Sequence, residues 1–107
     1  MSAQEIRKLN DRFRTTMTGG QVLMTAGVDA LPSDVKAMVI RRVATFSDFT
    51  ADNDPHREHD FGNFEVAGRK FFFKIDYFDA KMEFGSEDPA DPTKTARVLT
   101  IMLASEY

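Results

Sequence analysis

Apolar residues recur at helical spacing from the start of the chain: Ile6, Leu9, Phe13 and Met17, with Arg7, Lys8, Asp11, Arg12 and Arg14 between them. That period lays one apolar stripe along an amphipathic helix. Ser2 followed by Glu5 forms a capping-box pattern at its start. Gly19-Gly20 ends it, because glycine accepts the left-handed backbone of a helix terminus. The glycine pair alone is no phosphate loop, since the rest of the Walker pattern is missing. Gln21 to Val28 is apolar on both alternating faces, which predicts a central strand covered on two sides. Pro32 and Ser33 then open a second helix, with Val35, Met38, Val39, Val43 and Phe46 as its core stripe and Lys36, Arg41 and Arg42 facing water.

A polar stretch from about Ser47 to Gly62 follows. After it the period changes to two. Phe64 and Val66 alternate with Asn63 and Glu65, Ala67-Gly68 turns the chain, and Arg69 to Phe78 reads as a long strand. Phe71, Phe73, Ile75 and Tyr77 fall on one face, and Phe72, Lys74, Asp76 and Phe78 on the other. The two runs predict a β-hairpin. Asp79-Ala80 reads as a further turn, and Met82 and Phe84 continue the alternation as a short third strand. Gly85 to Pro92 is a loop in which Asp91 can cap a helix with Pro92 at its first position. Residues 93–107 are rich in Leu, Met and Ala and predict a C-terminal helix. The rival is a strand through Val98–Met102, where β-branched residues are frequent. The fold expected is α+β: an antiparallel sheet of about four strands packed with two N-terminal helices and a C-terminal helix, in a single domain over 1–107.

Composition narrows the function classes. With 107 residues the chain suits one domain with its own core. There is no cysteine, which removes disulfide frameworks, thiolate catalysis and Cys-based zinc sites. The N-terminus carries no apolar signal region, and no apolar run approaches the ~20 residues of a membrane span. A cytoplasmic protein is expected. Charge is uneven: residues 1–46 hold seven Lys/Arg against four acids, and the remainder holds seven against thirteen. The chain is acidic overall, with a pI near 5.3. Direct nucleic-acid binders are usually basic, so that class is disfavoured.

Both histidines lie in the polar stretch, within Asp54-Pro-His-Arg-Glu-His-Asp60. Long ordered loops in small domains are commonly functional. His56 and His59 with Asp54 could supply ligands to a zinc or manganese ion. A calcium loop of the EF-hand type fails, because Arg57 stands where glycine is needed and Asn63 where the bidentate glutamate is needed. His59 flanked by Glu58 and Asp60 could serve as a general base. Against both stands a structural reading, in which Glu58, His59 and Asp60 anchor loop backbone by hydrogen bonds. The Asp79-x-Lys81 pair matches a metal-dependent nuclease poorly, and no nucleophile elbow exists. Phe71-Phe72-Phe73 offers aromatics on a strand, but alternation sends Phe71 and Phe73 to the core first.

Several of these motifs are familiar in combination. Asn53-Asp54-Pro55, Glu58-His59-Asp60-Phe61-Gly62, Lys74-Ile75-Asp76-Tyr77, Ser86 to Pro92, Arg97 to Leu103 and Glu106-Tyr107 together resemble a family of short proteobacterial proteins catalogued as a domain of unknown function (DUF3768). The resemblance implies a cytoplasmic protein, often carried on plasmids or prophages, with no assigned activity. Phe73 stands where the family often has Trp, and Phe78 where it often has Tyr, so no indole N–H or phenol O–H is available there.

Asp76, Asp79, Glu83, Glu87, Asp88 and Asp91 gather toward one sheet end and the loop beyond it, and Glu58 and Asp60 add to the acidic surface. If helices cover only one sheet face, Phe72 and Phe78 lie beside acids on an interaction patch. The expected function is a small non-enzymatic protein-binding module without a cofactor. With the resemblance, that becomes a plasmid- or phage-encoded accessory or counter-defence factor engaging a basic surface of a host nucleic-acid enzyme. The alternative is a metal-dependent hydrolase or nuclease centred on His56 and His59, with a divalent metal as cofactor.

Overall fold

Helical and two-residue periods divide the chain much as its pattern predicts. The computed structural model describes residues 2–107. Helix α1 spans Ser2–Thr16, strand β1 Gln21–Met24, a one-turn helix α2 Ala26–Asp29 and helix α3 Ser33–Thr45. Strands β2 (Phe61–Val66), β3 (Arg69–Asp79) and β4 (Thr95–Leu103) follow, and a 3-10 turn closes the chain at Ala104–Glu106. The four strands form one sheet in the order β1-β4-β3-β2.

The sheet is mixed rather than antiparallel throughout. β2, β3 and β4 pair antiparallel, while β1 lies parallel to β4 with Gln21 opposite Val98 and Met24 opposite Ile101. The segment expected to form a C-terminal helix is therefore β4. Its Leu, Met and Ala residues favour a helix by only tenths of a kcal/mol each. Placed between β1 and β3, the same segment satisfies its backbone on both sides, in nine residue pairs with β3 and four with β1. Tertiary pairing outweighs local propensity here. Asp91 caps no helix; its carboxylate accepts the Thr93 N–H and hydroxyl instead.

Two further expectations change. The third strand through Met82 and Phe84 does not form; a single bridge joins Phe78 to Gly85. The Asp79 carboxylate accepts the backbone N–H groups of Lys81 and Glu83, and such local bonds compete with strand pairing. Strand β1 is an edge strand, not a central one, and stops at Met24 where α2 begins. Met38, placed on the core stripe of α3, is 46% exposed.

The helices line one face of the sheet. Phe13 from α1, Val28 from α2, and Val39 and Val43 from α3 pack with Phe71, Phe73, Ile75, Leu99 and Ile101. These strand residues are cross-strand partners on one face: Phe73 with Ile101, Ile75 with Leu99. Gly62 sits on that face because a Cβ there would run into the rings of Phe73 and Phe46. The opposite face carries Phe72, Lys74, Asp76 and Phe78, alternating out of the same strand.

Candidate functional site

The crossover from α3 to β2 has no regular structure, so its backbone must find other partners. Asp54 supplies them. It is buried, and its Oδ1 accepts the backbone N–H groups of Glu58 and His59 at 3.0 and 3.1 Å. Its own N–H donates to the Thr50 carbonyl, and its carbonyl accepts the Arg57 N–H. Asn53 ties the start of the loop, accepting from the Thr50 N–H and donating to the Asp48 carbonyl. The tight path puts Arg57 and His59 in the left-handed region, at φ 58° and 57°.

His59 faces helix α1. Its Nδ1 lies 2.8 Å from Asp11 Oδ1, so with Asp11 ionised that nitrogen carries the proton. Nε2 stands 3.7 Å from Asp54 Oδ2. The ring stacks flat on Phe49, with centroids 3.8 Å apart and an interplanar angle of 3°. Asp11 also pairs with Arg14 at 3.0 Å. Arg14 is buried and donates to the carbonyls of Val43 and Phe46, which closes the exposed end of α3. Burial holds the Arg14 guanidinium below its ordinary pKa, against the opposing pull of Asp11.

A second group of polar side chains lies one turn earlier on α1. Asn10 is fully buried. Its Nδ2 donates to the Glu58 carbonyl and the Tyr77 hydroxyl, and its Oδ1 accepts Arg97 Nε at 2.9 Å. The Tyr77 hydroxyl in turn donates to Glu58 Oε1 at 2.8 Å. Burial and the Glu58 carboxylate beside it push the Tyr77 hydroxyl well above the ordinary phenol range. Arg97 lies over the Tyr77 ring and donates to the Pro89 carbonyl, and burial lowers its pKa. Asp60 is held above the usual carboxylate range by desolvation, while its carbonyl accepts the Ile75 N–H.

The structure thus brings Asp54, Glu58 and His59 together and joins them to residues to which the sequence pattern gave no part in this site: Asn10, Asp11, Arg14, Phe49 and Arg97. His56 is exposed and outside this network. Among the described residues, no group of three or more His, Asp or Glu side chains is placed to hold a metal ion. Most of the network's polar groups are bonded to one another, and among the fully buried side-chain nitrogen and oxygen atoms of the described residues Arg14 Nε alone lacks a partner. Clefts of about 320 and 590 Å³ flank His59, yet no hydroxyl of Ser or Thr hydrogen-bonds the imidazole among the described residues. The arrangement fastens a loop to a helix and a sheet.

The remaining acids divide. Asp76 is on the bare sheet face, paired with Lys74 at 3.1 Å. Asp79 and Asp91 cap their own turns, and those bonds, from the Glu83 N–H and from Thr93 respectively, hold both carboxyls below the ordinary range. Asp88 donates its N–H to Ser86 Oγ and accepts Thr95 Oγ1 on its carbonyl. The carboxylates of Glu83 and Glu87 are exposed and have no bonded partner among the described residues. They border a groove of about 600 Å³ at the sheet end, lined also by Asp79, Lys81, Lys94 and Phe84. Phe84 is 73% exposed. Its signal in the sequence was an apolar residue between charges, which alternation assigned to a strand.

These features define an α+β domain of helices on one face of a four-stranded mixed sheet, with an internally bonded polar crossover and an acidic tip. Residues 24–106 match the family described as "Protein of unknown function (DUF3768)", and the chain belongs to it. No curated protein and no solved structure matches the chain. No helix among the described residues is long and apolar enough to cross a membrane.

Proposed function

We infer that this protein is a cytoplasmic, non-enzymatic binding module whose contact surface is the acidic tip between β3 and β4. One observation carries the reading: Phe84 stands 73% exposed in a groove bordered by Glu83 and Glu87. An exposed aromatic costs solvation with no return inside the fold, and aromatic residues are enriched at interface centres. Asp79, Glu83 and Glu87 outnumber Lys81 and Lys94 around it, a balance that favours a basic partner and speeds its arrival. The internally bonded crossover supports a scaffold rather than a reacting centre. The resemblance to plasmid- and prophage-borne proteobacterial proteins suggests the partner class, a basic surface on a host nucleic-acid enzyme, and with it an accessory or counter-defence role.

The test is differential capture. Immobilised wild-type protein and a Phe84→Ser/Glu83→Lys/Glu87→Lys variant are exposed to bacterial lysate at low and high salt. A basic protein retained by wild type, released by salt and absent from the variant is the expected result. Equal recovery on both baits, or none on either at low salt, overturns the reading.

A further inference from the structure

We propose that two copies of this chain pair face to face through the helix-free side of the sheet, where Val98 and Met102 are already buried beneath their neighbours and Phe72, Lys74 and Asp76 are half-buried. That side carries Phe61, Phe72 and Tyr107 as an aromatic group, with Phe72 and Tyr107 ring centroids 5.2 Å apart and Phe61 and Phe72 5.3 Å apart. Leu23 on β1 is 44% exposed and Tyr107 74%. Tyr107 is not a loose end. Glu106 next to it accepts from Thr25 Oγ1 and from the N–H groups of Gly27 and Leu103, at 2.6, 2.9 and 2.9 Å. The backbone beside Tyr107 is thereby fixed, so little ordering entropy is lost on contact.

Charge identifies the occupant. Around the aromatics stand Lys70 and Lys74, and Glu65 and Asp76, in equal number. A nucleic acid laid on this face would meet two carboxylates, and a partner of one sign would bury two like charges. A second copy supplies both signs in the same pattern. Lys70, Phe72, Lys74 and Asp76 follow one another along the outer side of β3. A two-fold axis crossing the strands between Phe72 and Lys74 puts Lys70 of each copy over Asp76 of the other, on the side of Asp76 away from its own Lys74. It lays the Lys74 stems along the opposite Phe72 rings. Such an isologous contact closes after two copies.

Size sets the strength. The four strands hold 4, 6, 11 and 9 residues, and at ~3.4 Å per residue and ~4.8 Å spacing they present ~500 Å² per chain. Two faces remove ~1,000 Å² from water, the lower limit of specific interfaces, so the pair is weak and concentration-dependent.

Light scattering and sedimentation read the outcome. The mass rises from the 12.1 kDa of one chain toward twice that value as concentration increases. Lys70→Glu alone and Asp76→Lys alone each place two like-charge contacts in the pair and stay monomeric. An equal mixture of the two variants restores both opposite-charge contacts and regains the wild-type mass. Circular dichroism establishes that each variant is folded. A wild-type chain monomeric up to about 1 mM, where a contact is no tighter than crystal packing, overturns the proposal. So does a mixture that does not associate, or a monomer that instead retains a poly-dT oligonucleotide on this face.

Discussion

The crossover between α3 and β2 and the connection between β3 and β4 are of equal length and alike in their density of acids. In the crossover, Asp54 and Glu58 turn inward and bond the backbone, His59 and Tyr77. In the connection, Asp79 and Asp91 spend their carboxylates on their own turns, and Glu83 and Glu87 point into solvent beside Phe84. The same residue types thus serve as scaffold in one place and as surface in the other. What separates them is access to a buried partner. Helix α1 presents Asn10, Asp11 and Arg14 to the crossover, whereas the connection bonds mainly the strand ends, Ser86 to the Tyr77 carbonyl and Asp88 to Thr95, with Arg97 reaching Pro89 from within the fold.

If that contrast is right, substitutions in the crossover network cost stability and those at the tip do not. The largest effect is expected for Asn10→Leu. It leaves Arg97 Nε buried without its acceptor and strips donors from Glu58 and Tyr77. Breaking a buried hydrogen-bonded charge in this way costs about 3–5 kcal/mol. In a domain of this size the melting midpoint then falls by roughly 15 °C or more. A urea titration showing a loss under about 1 kcal/mol would mean that the network is dispensable. Asp54→Ala comes next. It removes the acceptor of two loop N–H groups, for a loss of about 2–3 kcal/mol. Hydrogen exchange should locate the damage, with faster exchange at the Glu58 and His59 amides and little change in β3. Unchanged protection at those two amides would return the crossover to the status of a surface.

Much of the fold was legible in the apolar period. The stripes of α1 and α3 and the hairpin of β2 and β3 follow from spacing alone. β4 was legible only as the rival of a helix, because Val98 to Leu103 is apolar on both sides and such a run has no distinguishing period. Pairing with β1 and β3, which decides it, lies far away in the chain. Met82 and Phe84 alternate as a strand would, but the Asp79 carboxylate turns the chain there. In the candidate site, the grouping of Asp54, Glu58 and His59 was readable as a polar run. Asn10 and Arg14 were not, because polar residues on an amphipathic helix are assigned to water by default. Their signal was position: Asn10 stands four residues after Ile6, and Arg14 four after Asn10, along the buried edge of the stripe.

Glu106 probes how the bare face is held. Its carboxyl lies below the ordinary range, chiefly through the Thr25 hydroxyl and then the Leu103 N–H. A carboxyl depressed in the folded state adds stability above its unfolded pKa and loses it as pH falls through the folded one. Thermal midpoints should therefore decline as pH drops below the ordinary 4.5 of a glutamate. Glu106→Gln should show a shallower decline from a lower starting point. Parallel curves for the two proteins would remove Glu106 from the account of acid sensitivity.

The smallest effect belongs to the tip, and it is the most discriminating. Glu83→Lys/Glu87→Lys reverses two exposed charges that bond nothing among the described residues. Surface substitutions of that kind move stability by no more than about 0.5 kcal/mol. The melt should superimpose on wild type while retention of a basic partner is lost, because reversing charge at an interface acts on the encounter and not on the fold. A fall in stability comparable with that of Asp54→Ala would show that the tip acids are structural too. The two connections would then differ in depth of burial but not in purpose.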